Sequence, residues 1–284
     1  MLSKNVETFM GCDWEPAEAD TILFGAPFDS TTSYRPGTRF GSSAIRHESF
    51  GLEDYSPYQD KDLSQVKTAD IGDLELCIGD TARVLDQIEE CAAEILAAGK
   101  RPFMLGGEHL VTLGAFRAAV KRYPDLHVIH FDAHADLRED YLGMPLSHAC
   151  VLRRCWELAG DGKIFQFGIR SGDRAEFAWG KDHVTTRKFD FEGLEETLDR
   201  LKGKPVYFTL DLDVMDPSVF PGTGTPEPGG VSFDALRRAV TLVCGRADVK
   251  ACDVNELSPH YDPSGISTMA AGKLVREMLL ALGK

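Results

Sequence analysis

The chain has 284 residues, of which 43% are hydrophobic and 27% are charged. With its glycines the apolar share is roughly half, the ordinary value for a globular protein, which excludes a disordered or collagen-like chain. The 31 basic and 45 acidic side chains give a net charge of −14, so the chain would repel a polyanion and we expect no nucleic-acid partner.

The cysteines and the N-terminal segment indicate the compartment. The 7 cysteines are scattered and contain no CxxC pair, which favours free thiols in a reducing compartment and argues against thiolate zinc. Residues 1–20 carry charges throughout and lack an apolar signal-peptide core, and no window offers the ~18 uninterrupted apolar residues of a membrane helix. We therefore expect a cytoplasmic protein with no membrane partner.

Short apolar runs, each followed by a polar or glycine-rich turn, predict buried strands of a parallel sheet. They lie at 21–24, 102–105, 126–131, 163–167, 206–210 and 249–254. Helical patterns lie between them, at 81–98, 110–123, 233–244 and 267–282. Asp80 can cap the first helix and Gly99 can end it. The alternation predicts one α/β domain, 1–284, with a mainly parallel sheet covered by helices on both faces.

The segment 213–230 is predicted to be a long ordered loop. Its sequence, DVMDPSVFPGTGTPEPGG, is rich in proline and glycine, which excludes a helix or a central strand. Ordered loops of this length tend to carry function.

Three of the predicted strands run directly into acids and imidazoles. The segments that follow them are 106–109 (GGEH), 132–136 (DAHAD) and 211–213 (DLD). Ligands of an open parallel sheet bind beyond the carboxyl ends of its strands, and residues i and i+2 of a strand point the same way. We therefore expect the acids and histidines of these segments to converge.

The four acids Asp132, Asp136, Asp211 and Asp213 would repel one another unless cations were present. Two divalent ions would supply +4 against −4. Carboxylate and imidazole ligands without thiolate suit manganese, and less decisively iron, cobalt or zinc. A dinuclear centre supplies hydroxide at neutral pH, which is a nucleophile for hydrolysis.

Each signal also has an ordinary explanation. A lone histidine after a Gly-Gly turn is commonly a cap, and an Asp-x-Asp pair is common at helix entries. The GGEH turn could instead cradle a phosphate, but the chain lacks GxxxxGK[ST] and has no GxGxxG after its first strand. The occurrence of all three segments at strand ends of one sheet favours the metal site.

These segments resemble the signature segments of the ureohydrolase family, which comprises the arginases and agmatinases. The similarity covers GGEH at 106–109, VIHFDAHAD at 128–136 and TLDLDVMDPSVFPGTG at 209–224, and RPGTRFG at 35–41 extends it. Thr209 stands where the family usually has Ser, and Ser218 where it often has Ala; we expect little effect. The resemblance implies a three-layer α/β/α fold, two Mn²⁺ per chain, release of urea from a small guanidino substrate, and a homo-oligomer, trimeric or hexameric.

The resemblance also implies a ligand set. One metal ion would be bound by His109, Asp132, Asp136 and Asp211. The other would be bound by His134, Asp132, Asp211 and Asp213. Asp132 and Asp211 would then bridge the two ions, in agreement with the charge count.

Two further residues have expected roles in catalysis. His148 is the candidate shuttle that protonates the leaving amine, although Ala149 follows it where many relatives have Gly. Glu256 resembles the family's guanidinium-binding acid. A carboxylate suits this role, since it can form paired hydrogen bonds with a planar guanidinium. The remaining histidines are expected to be packed or solvated: His47, His127, His130, His183 and His260.

The segment 137–143 (LREDYLG) resembles the agmatinase-like branch and lacks the Asn-Thr-Pro pattern of arginases. Glu139, Asp140 and the acidic charge favour a substrate with a second positive charge, hence agmatine hydrolysed to putrescine and urea, a step of polyamine biosynthesis. Arg138 could instead pair with the carboxylate of arginine, guanidinobutyrate or formiminoglutamate, or form a structural salt bridge. A deacetylase-like amidohydrolase with one zinc and a metal-stabilised scaffold stay open as alternatives.

Overall fold

The structure is a computed structural model that describes residues 7–283. Residues 1–6 and 284 of the predicted domain lie outside the described residues. The strands are β1 (Thr21–Gly25), β2 (Tyr55–Ser56), β3 (Lys61–Asp62), β4 (Thr68–Asp73), β5 (Arg101–Leu105), β6 (His127–Phe131), β7 (Ile164–Ile169), β8 (Thr185–Lys188), β9 (Pro205–Asp211) and β10 (Asp248–Asn255). Within the described residues, eight strands form one parallel sheet in the order β4-β1-β5-β10-β9-β6-β7-β8, while β2 and β3 form a small antiparallel hairpin.

Helices cover both faces of the sheet. They are α1 (Gly41–Ser49), α2 (Thr81–Ala97), α3 (Thr112–Arg122), α4 (Val151–Ala159), α5 (Arg174–His183), α6 (Leu194–Arg200), α7 (Phe233–Arg246) and α8 (Ile266–Leu282). The apolar side chains of α2, α3 and α4 pack with one face of the strands, and those of α1, α6, α7 and α8 pack with the other. The predicted three-layer α/β/α architecture with a mainly parallel sheet is confirmed.

The predicted elements correspond closely to observed ones in the middle of the sheet. The six apolar runs fall on β1, β5, β6, β7, β9 and β10, and the four helical patterns on α2, α3, α7 and α8. The segment 213–230 forms neither an α-helix nor a strand of the sheet, as predicted. The apolar-run criterion did not predict the edge strands, the hairpin or the four remaining helices.

Helix α2 shows how local sequence fixes an element. The Asp80 side chain accepts a hydrogen bond from the backbone N–H of Arg83, so it caps the helix as predicted, and Gly99 after the helix has φ of 75°. The buried face comprises Val84, Leu85, Ile88, Ala92, Ile95 and Leu96. This face anchors one covering layer on the sheet.

Strand register places the carboxyl ends of four neighbouring strands together. Phe131 of β6 is aligned with Leu210 of β9, and Leu210 is aligned with Val254 of β10. Val254 in turn is aligned with Leu105 of β5. Because these strands are parallel, the residues that follow them emerge at one edge of the sheet, as the sequence predicts.

Two further findings concern the predicted environment. All 7 cysteines are free thiols, as predicted, and most of them are buried. Among the described residues, no helix combines the length and the apolar character needed to cross a bilayer.

Gly114→Ala is expected to destabilise the protein by about 1–3 kcal/mol through overpacking. An added Cβ at this position of α3 would lie 2.7 Å from the Ile88 Cβ and 2.8 Å from the Leu85 carbonyl oxygen of α2. The measurement is the free energy of unfolding in urea.

Gly245→Ala in α7 is the matched control. An added Cβ at this position would have no neighbouring atom of the described residues within 4 Å outside its own helix backbone, so the better helix former is expected to stabilise by up to about 1 kcal/mol. Equal stability of the two variants would contradict the close α2–α3 packing.

Candidate metal centre

The first group of site residues surrounds one ring nitrogen of His109. His109 Nδ1 lies 3.0 Å from Asp132 Oδ2, 3.1 Å from Asp136 Oδ2 and 3.4 Å from Asp211 Oδ2. All four side chains are buried. Within the described part of the chain, Nδ1 has no aligned hydrogen-bond partner. These four residues, called the His109 group below, are the ones predicted to share one ion.

The hydrogen bonds behind His109 fix its tautomer. The Thr209 hydroxyl lies 2.6 Å from Asp253 Oδ1, a carboxylate oxygen, to which it donates its hydrogen. The Thr209 hydroxyl oxygen also lies 2.8 Å from His109 Nε2, so it accepts the Nε2 hydrogen. Burial would lower the pKa of His109, but Asp132 and Asp136 raise it well above its ordinary value, so a proton can occupy Nδ1 when no ion does. With an ion in place of that proton, the neutral ring would direct its Nδ1 lone pair to the ion, as a metal-ligating histidine does. From the resemblance, we expected the Thr209 difference to have little effect. The hydrogen bond between Thr209 and His109 was not predicted.

The second group lies around His134, which follows Asp132 by two residues. His134 Nδ1 lies 3.0 Å from Asp213 Oδ2 and 3.5 Å from Asp132 Oδ1. Asp132 thus directs one oxygen to each group. Asp211 Oδ1 accepts the backbone N–H of Asp213 at 2.8 Å, which links the first group to the second. His134, Asp132 and Asp213 are called the His134 group below.

The spacing of these atoms fits divalent ions. Adjacent ligand atoms of an octahedral ion at ~2.1 Å lie about 3.0 Å apart, because their separation is √2 times the bond length. The closest contacts of His109 Nδ1 are 3.0 and 3.1 Å, and His134 Nδ1 lies 3.0 Å from Asp213 Oδ2. A lone pair facing carboxylate oxygens at this distance is repulsive unless a proton or a cation lies between them.

The pKa values of these acids reflect the repulsion among the buried carboxylates. Burial, reinforced by Asp132, raises the pKa of the Asp136 carboxyl to about 7. Burial and the charge of Asp213 raise the pKa of Asp211 well above its ordinary value. Burial would also raise the pKa of Asp132, but hydrogen bonds from neighbouring histidines lower it instead. Cations would relieve a repulsion that protons otherwise relieve.

His130 is a site residue that the sequence analysis missed. Its Nε2 lies 2.8 Å from Asp132 Oδ2, and its Nδ1 accepts from the side-chain amide of Gln166 at 3.1 Å. The neutral ring therefore donates its hydrogen to Asp132 and orients that carboxylate. His130 is buried, as expected for a packed histidine. The signal available in the sequence was its i, i+2 relation to Asp132, which directly follows β6.

Glu256 follows β10 at the same edge of the sheet. Its φ of 68° is a left-handed conformation that costs about 1–3 kcal/mol and persists only where the surroundings enforce it. Glu256 N–H donates to the Gly107 carbonyl at 2.9 Å, and Glu256 Oε1 accepts from His109 N–H at 2.8 Å. Burial and then Asp213 raise the pKa of the carboxyl. The predicted acid is therefore held beside the His109 group.

His148 and Glu256 line one cavity. Burial lowers the pKa of His148 to about 4, so the ring is neutral at pH 7. Its Nδ1 lies 3.0 Å from the Thr31 carbonyl oxygen, and its Nε2 lies 3.3 Å from the Ser33 hydroxyl. The predicted residue His148 therefore lies at the site, where it contacts the segment that contains Thr31 and Ser33.

A cavity of about 250 Å³ joins these residues, which is small even beside the ~300–1,000 Å³ of drug-sized sites. Its lining includes His109, His134, Asp136, Asp211, His148 and Glu256. Arg138, Tyr141, Asp173 and Glu176 line it as well. This lining suits a small, polar molecule that can interact with acidic side chains.

Arg138 is already engaged by two acids. Its Nη1 lies 2.8 Å from Asp173 Oδ2, and its Nε lies 3.5 Å from Glu176 Oε2. Asp173 and Glu176 also form a capping box at the start of α5, which fixes both carboxylates. These three residues are called the Arg138 cluster below. Of the two interpretations of Arg138, the salt bridge is the one observed.

Comparisons with known proteins place the chain among relatives that match nearly all of it. The family model "Arginase family" matches residues 19–281. An agmatinase of Bacillus subtilis is 48% identical over 96% of this chain and 94% of its own length. A human mitochondrial guanidino acid hydrolase is 33% identical over 95% of this chain and 80% of its own. The crystal structure of the agmatine ureohydrolase of Thermoplasma volcanium superposes with a TM-score of 0.89 at 35% identity, covering 98% and 95% of the two chains.

Thr209→Val is expected to weaken divalent-ion binding by roughly 10–100-fold, the usual cost of losing a partner behind a metal-binding histidine. The variant removes the oxygen that accepts the His109 Nε2 hydrogen. Competition of Mn²⁺ with a chelating dye measures the affinity.

Two controls accompany it. Thr209→Ser keeps the hydroxyl and is expected to stay near the wild-type affinity. Thr241→Val removes a hydroxyl that bonds only the Arg237 carbonyl on α7 among the described residues, and it is expected to leave the affinity unchanged. Wild-type affinity in Thr209→Val would contradict the assigned tautomer.

Proposed function

The chain belongs to the arginase family, and we propose that it is an agmatinase, which hydrolyses agmatine to putrescine and urea. The observation that carries the choice of substrate is the Arg138 cluster. The cation beside the cavity is paired with two acids, so this side of the cavity is acidic overall and suits the free amine of agmatine. The similarity to agmatinases over nearly the whole chain supports the same choice.

The His109 and His134 groups are the proposed ligands of two Mn²⁺ ions per chain. Asp132 would bridge the ions, since its two oxygens face the two groups, and Asp211 would be the second bridge. The donor set contains carboxylates and imidazoles and no thiolate, which suits Mn²⁺. When bound, two such ions would make a hydroxide nucleophile available at neutral pH.

Glu256 is proposed to bind and orient the guanidinium group. Its carboxylate is buried beside the His109 group, and one oxygen is already fixed by the His109 N–H. A guanidinium within reach would offer paired N–H donors to the carboxylate, and its positive charge would restore the ionised form that burial disfavours. The guanidinium carbon would then lie close to the metal ligands.

His148 is proposed to carry the proton that the leaving amine requires. The ring is neutral, and its Nδ1 is occupied by the Thr31 carbonyl. Nε2 therefore holds the free lone pair, which can take up a proton released in the attack and pass it to the amine nitrogen. This exchange leaves the amine product neutral and His148 in its starting state.

The main alternative is a ureohydrolase for a carboxylate-bearing guanidine, namely guanidinobutyrate, arginine or formiminoglutamate. Such a substrate would place its carboxylate near Arg138, where Asp173 and Glu176 would repel it. A deacetylase-like amidohydrolase with one zinc is the second alternative. It uses one ion, whereas two separate histidines each face carboxylates here.

The cysteines and the signature segments bear on the setting of the enzyme. We propose that residues 1–284 act as one ureohydrolase domain in the cytoplasm, where free cysteines persist. The resemblance of its signature segments favours a homo-oligomer, trimeric or hexameric.

A substrate panel tests the proposed function. With Mn²⁺-loaded protein, urea release is expected to be fastest from agmatine and at least about tenfold slower from arginine and guanidinobutyrate. Elemental analysis of the same preparation is expected to give two ions per chain. Preference for a carboxylate-bearing compound would overturn the choice of agmatine, and a single ion would favour the deacetylase-like alternative.

Asp173→Asn is expected to lower kcat/KM for agmatine about fivefold, equivalent to about 1 kcal/mol for a partly exposed charge pair. Asn still caps α5 but removes one negative charge from the Arg138 cluster, so turnover of guanidinobutyrate is expected to rise. Steady-state kinetics on both substrates measure the change.

Asp234→Asn is the matched control for Asp173→Asn. Like the N-cap Asp173, Asp234 lies at the start of a helix, here in the first turn, and pairs with arginines, but it does not line the cavity. It is expected to leave both substrates unaffected. An unchanged ratio of the two substrates in Asp173→Asn would contradict a role of the cluster in specificity.

A further inference from the structure

A buried acid outside the metal centre holds the segment that contacts His148. Glu108 is fully buried, and burial raises the pKa of its carboxyl to about 7. It accepts the backbone N–H of Thr31 at 2.9 Å, the Thr31 hydroxyl, and the Thr32 hydroxyl at 3.0 Å. All three hydrogen bonds come from a segment 76 or 77 residues away in sequence. Glu108 therefore anchors this segment to the turn that follows β5.

Thr31 in turn makes two hydrogen bonds with His148. The His148 backbone N–H donates to the Thr31 hydroxyl oxygen at 3.1 Å. Because that hydroxyl gives its one hydrogen to Glu108, its lone pairs are free to accept. His148 Nδ1 lies 3.0 Å from the Thr31 carbonyl oxygen. A single residue thus fixes both the backbone and the ring of His148.

The carbonyl contact determines which ring nitrogen of His148 carries the hydrogen. A carbonyl oxygen only accepts, so Nδ1 must be the protonated nitrogen of the neutral ring. The Ser147 hydroxyl is more distant from Nδ1, at 3.5 Å. Nε2 is then the unprotonated nitrogen, and it lies 3.3 Å from the Ser33 hydroxyl. Nε2 can accept a hydrogen bond from this hydroxyl or from another donor that replaces it. Ser33 and His148 both line the cavity.

We infer that Thr31, anchored by Glu108, is a positioning residue that holds His148 in the Nδ1–H tautomer with its Nε2 lone pair available to the cavity. The inference rests on the proposed function for its effect on turnover. The tautomer itself follows from contacts among protein groups. Without these contacts of Thr31, the ring could adopt the other tautomer. That tautomer carries its hydrogen on Nε2, so the ring could not take up a proton there.

Thr32 shows why a purely structural role differs from this one. Its hydroxyl binds the same carboxylate of Glu108, but no hydrogen bond joins Thr32 to His148 among the described residues. Removing either hydroxyl costs the anchor one hydrogen bond of similar kind. Only the loss of the Thr31 hydroxyl also removes a contact with His148, which makes Thr31 and Thr32 a matched pair.

Kinetics of three variants test the effect on turnover. General acid–base catalysis contributes roughly 10²–10⁴-fold, so partial loss of ring orientation in Thr31→Val is expected to lower kcat about tenfold. KM for agmatine and the content of metal ions are expected to stay within about twofold. Thr31→Ser is expected to recover most of kcat, and Thr32→Val is expected to remain within about twofold of the wild type.

The kinetic result overturns the inference if Thr31→Val keeps its kcat, if Thr32→Val loses as much, or if Thr31→Ser does not recover. It also overturns the inference if the loss in Thr31→Val follows a loss of metal content, since that would show a structural effect on the neighbouring His109 segment.

A spectroscopic measurement tests the tautomer without turnover. Two-bond ¹H–¹⁵N correlation spectra of the histidine-labelled, metal-free full chain, assigned with His148→Asn, report which ring nitrogen is protonated. The wild type is expected to show the Nδ1–H form of His148. Thr31→Val keeps the backbone carbonyl but loses the hydroxyl that fixes its position against Glu108 and the His148 backbone, so a mixture of both forms is expected. A wild-type ring in the Nε2–H form would overturn the inference. If the wild type released no urea from agmatine, the proposed function would fail while this measurement still decided the tautomer.

Discussion

The structure depends on one electrostatic constraint, the gathering of four carboxylates around two imidazoles in a buried site. Asp132, Asp136, Asp211 and Asp213 are all nearly inaccessible to solvent. A buried carboxylate loses its hydration, and its neighbours repel it across a medium of low dielectric. Protons relieve part of this repulsion, as the raised pKa values of Asp136 and Asp211 show. Divalent ions bound by the same oxygen atoms would relieve it further, so the repulsion that weakens the folded state would favour ion binding.

The parallel sheet and the strained turns after its strands hold the acids in place against this repulsion. Asp136 and Glu256 both have positive φ, at 53° and 68°, although neither is glycine. Gly107 allows the turn after β5 to approach closely, because a Cβ there would lie 2.0 Å from the Phe28 carbonyl oxygen. The packing of the two helical layers on the sheet offsets the free-energy cost of these turns. The site lies at the end of the buried central strands, where this packing is most extensive on both faces. The conflict between local preference and global fold is typical of functional sites.

The sequence predicts the central strands well and the edges poorly, for a physical reason. Strands such as β6 are buried on both faces and read as apolar runs, whereas the edge strand β8 (TTRK) is mostly exposed and shows no such run. The site follows the same division. Asp132 and His134 are two residues apart just after the end of β6, so their convergence is visible in the sequence. The contact between Thr31 and Glu108 joins positions 77 residues apart, and only the fold reveals it.

Charge balance along the cavity connects the proposed metal centre to the proposed substrate. Two divalent ions, +4, would neutralise the four carboxylates, −4, and leave the −1 of an ionised Glu256. In the Arg138 cluster, which also lines the cavity, Arg138 at +1 with Asp173 and Glu176 at −2 leaves −1 when all three are ionised. Agmatine carries a guanidinium and an ammonium group, so under the proposed function Glu256 would meet the first and the Arg138 cluster the second. A guanidine with a terminal carboxylate would satisfy Glu256 and be repelled by the cluster, so under the same proposal the pairing of Arg138, rather than the metal centre, would separate the substrates.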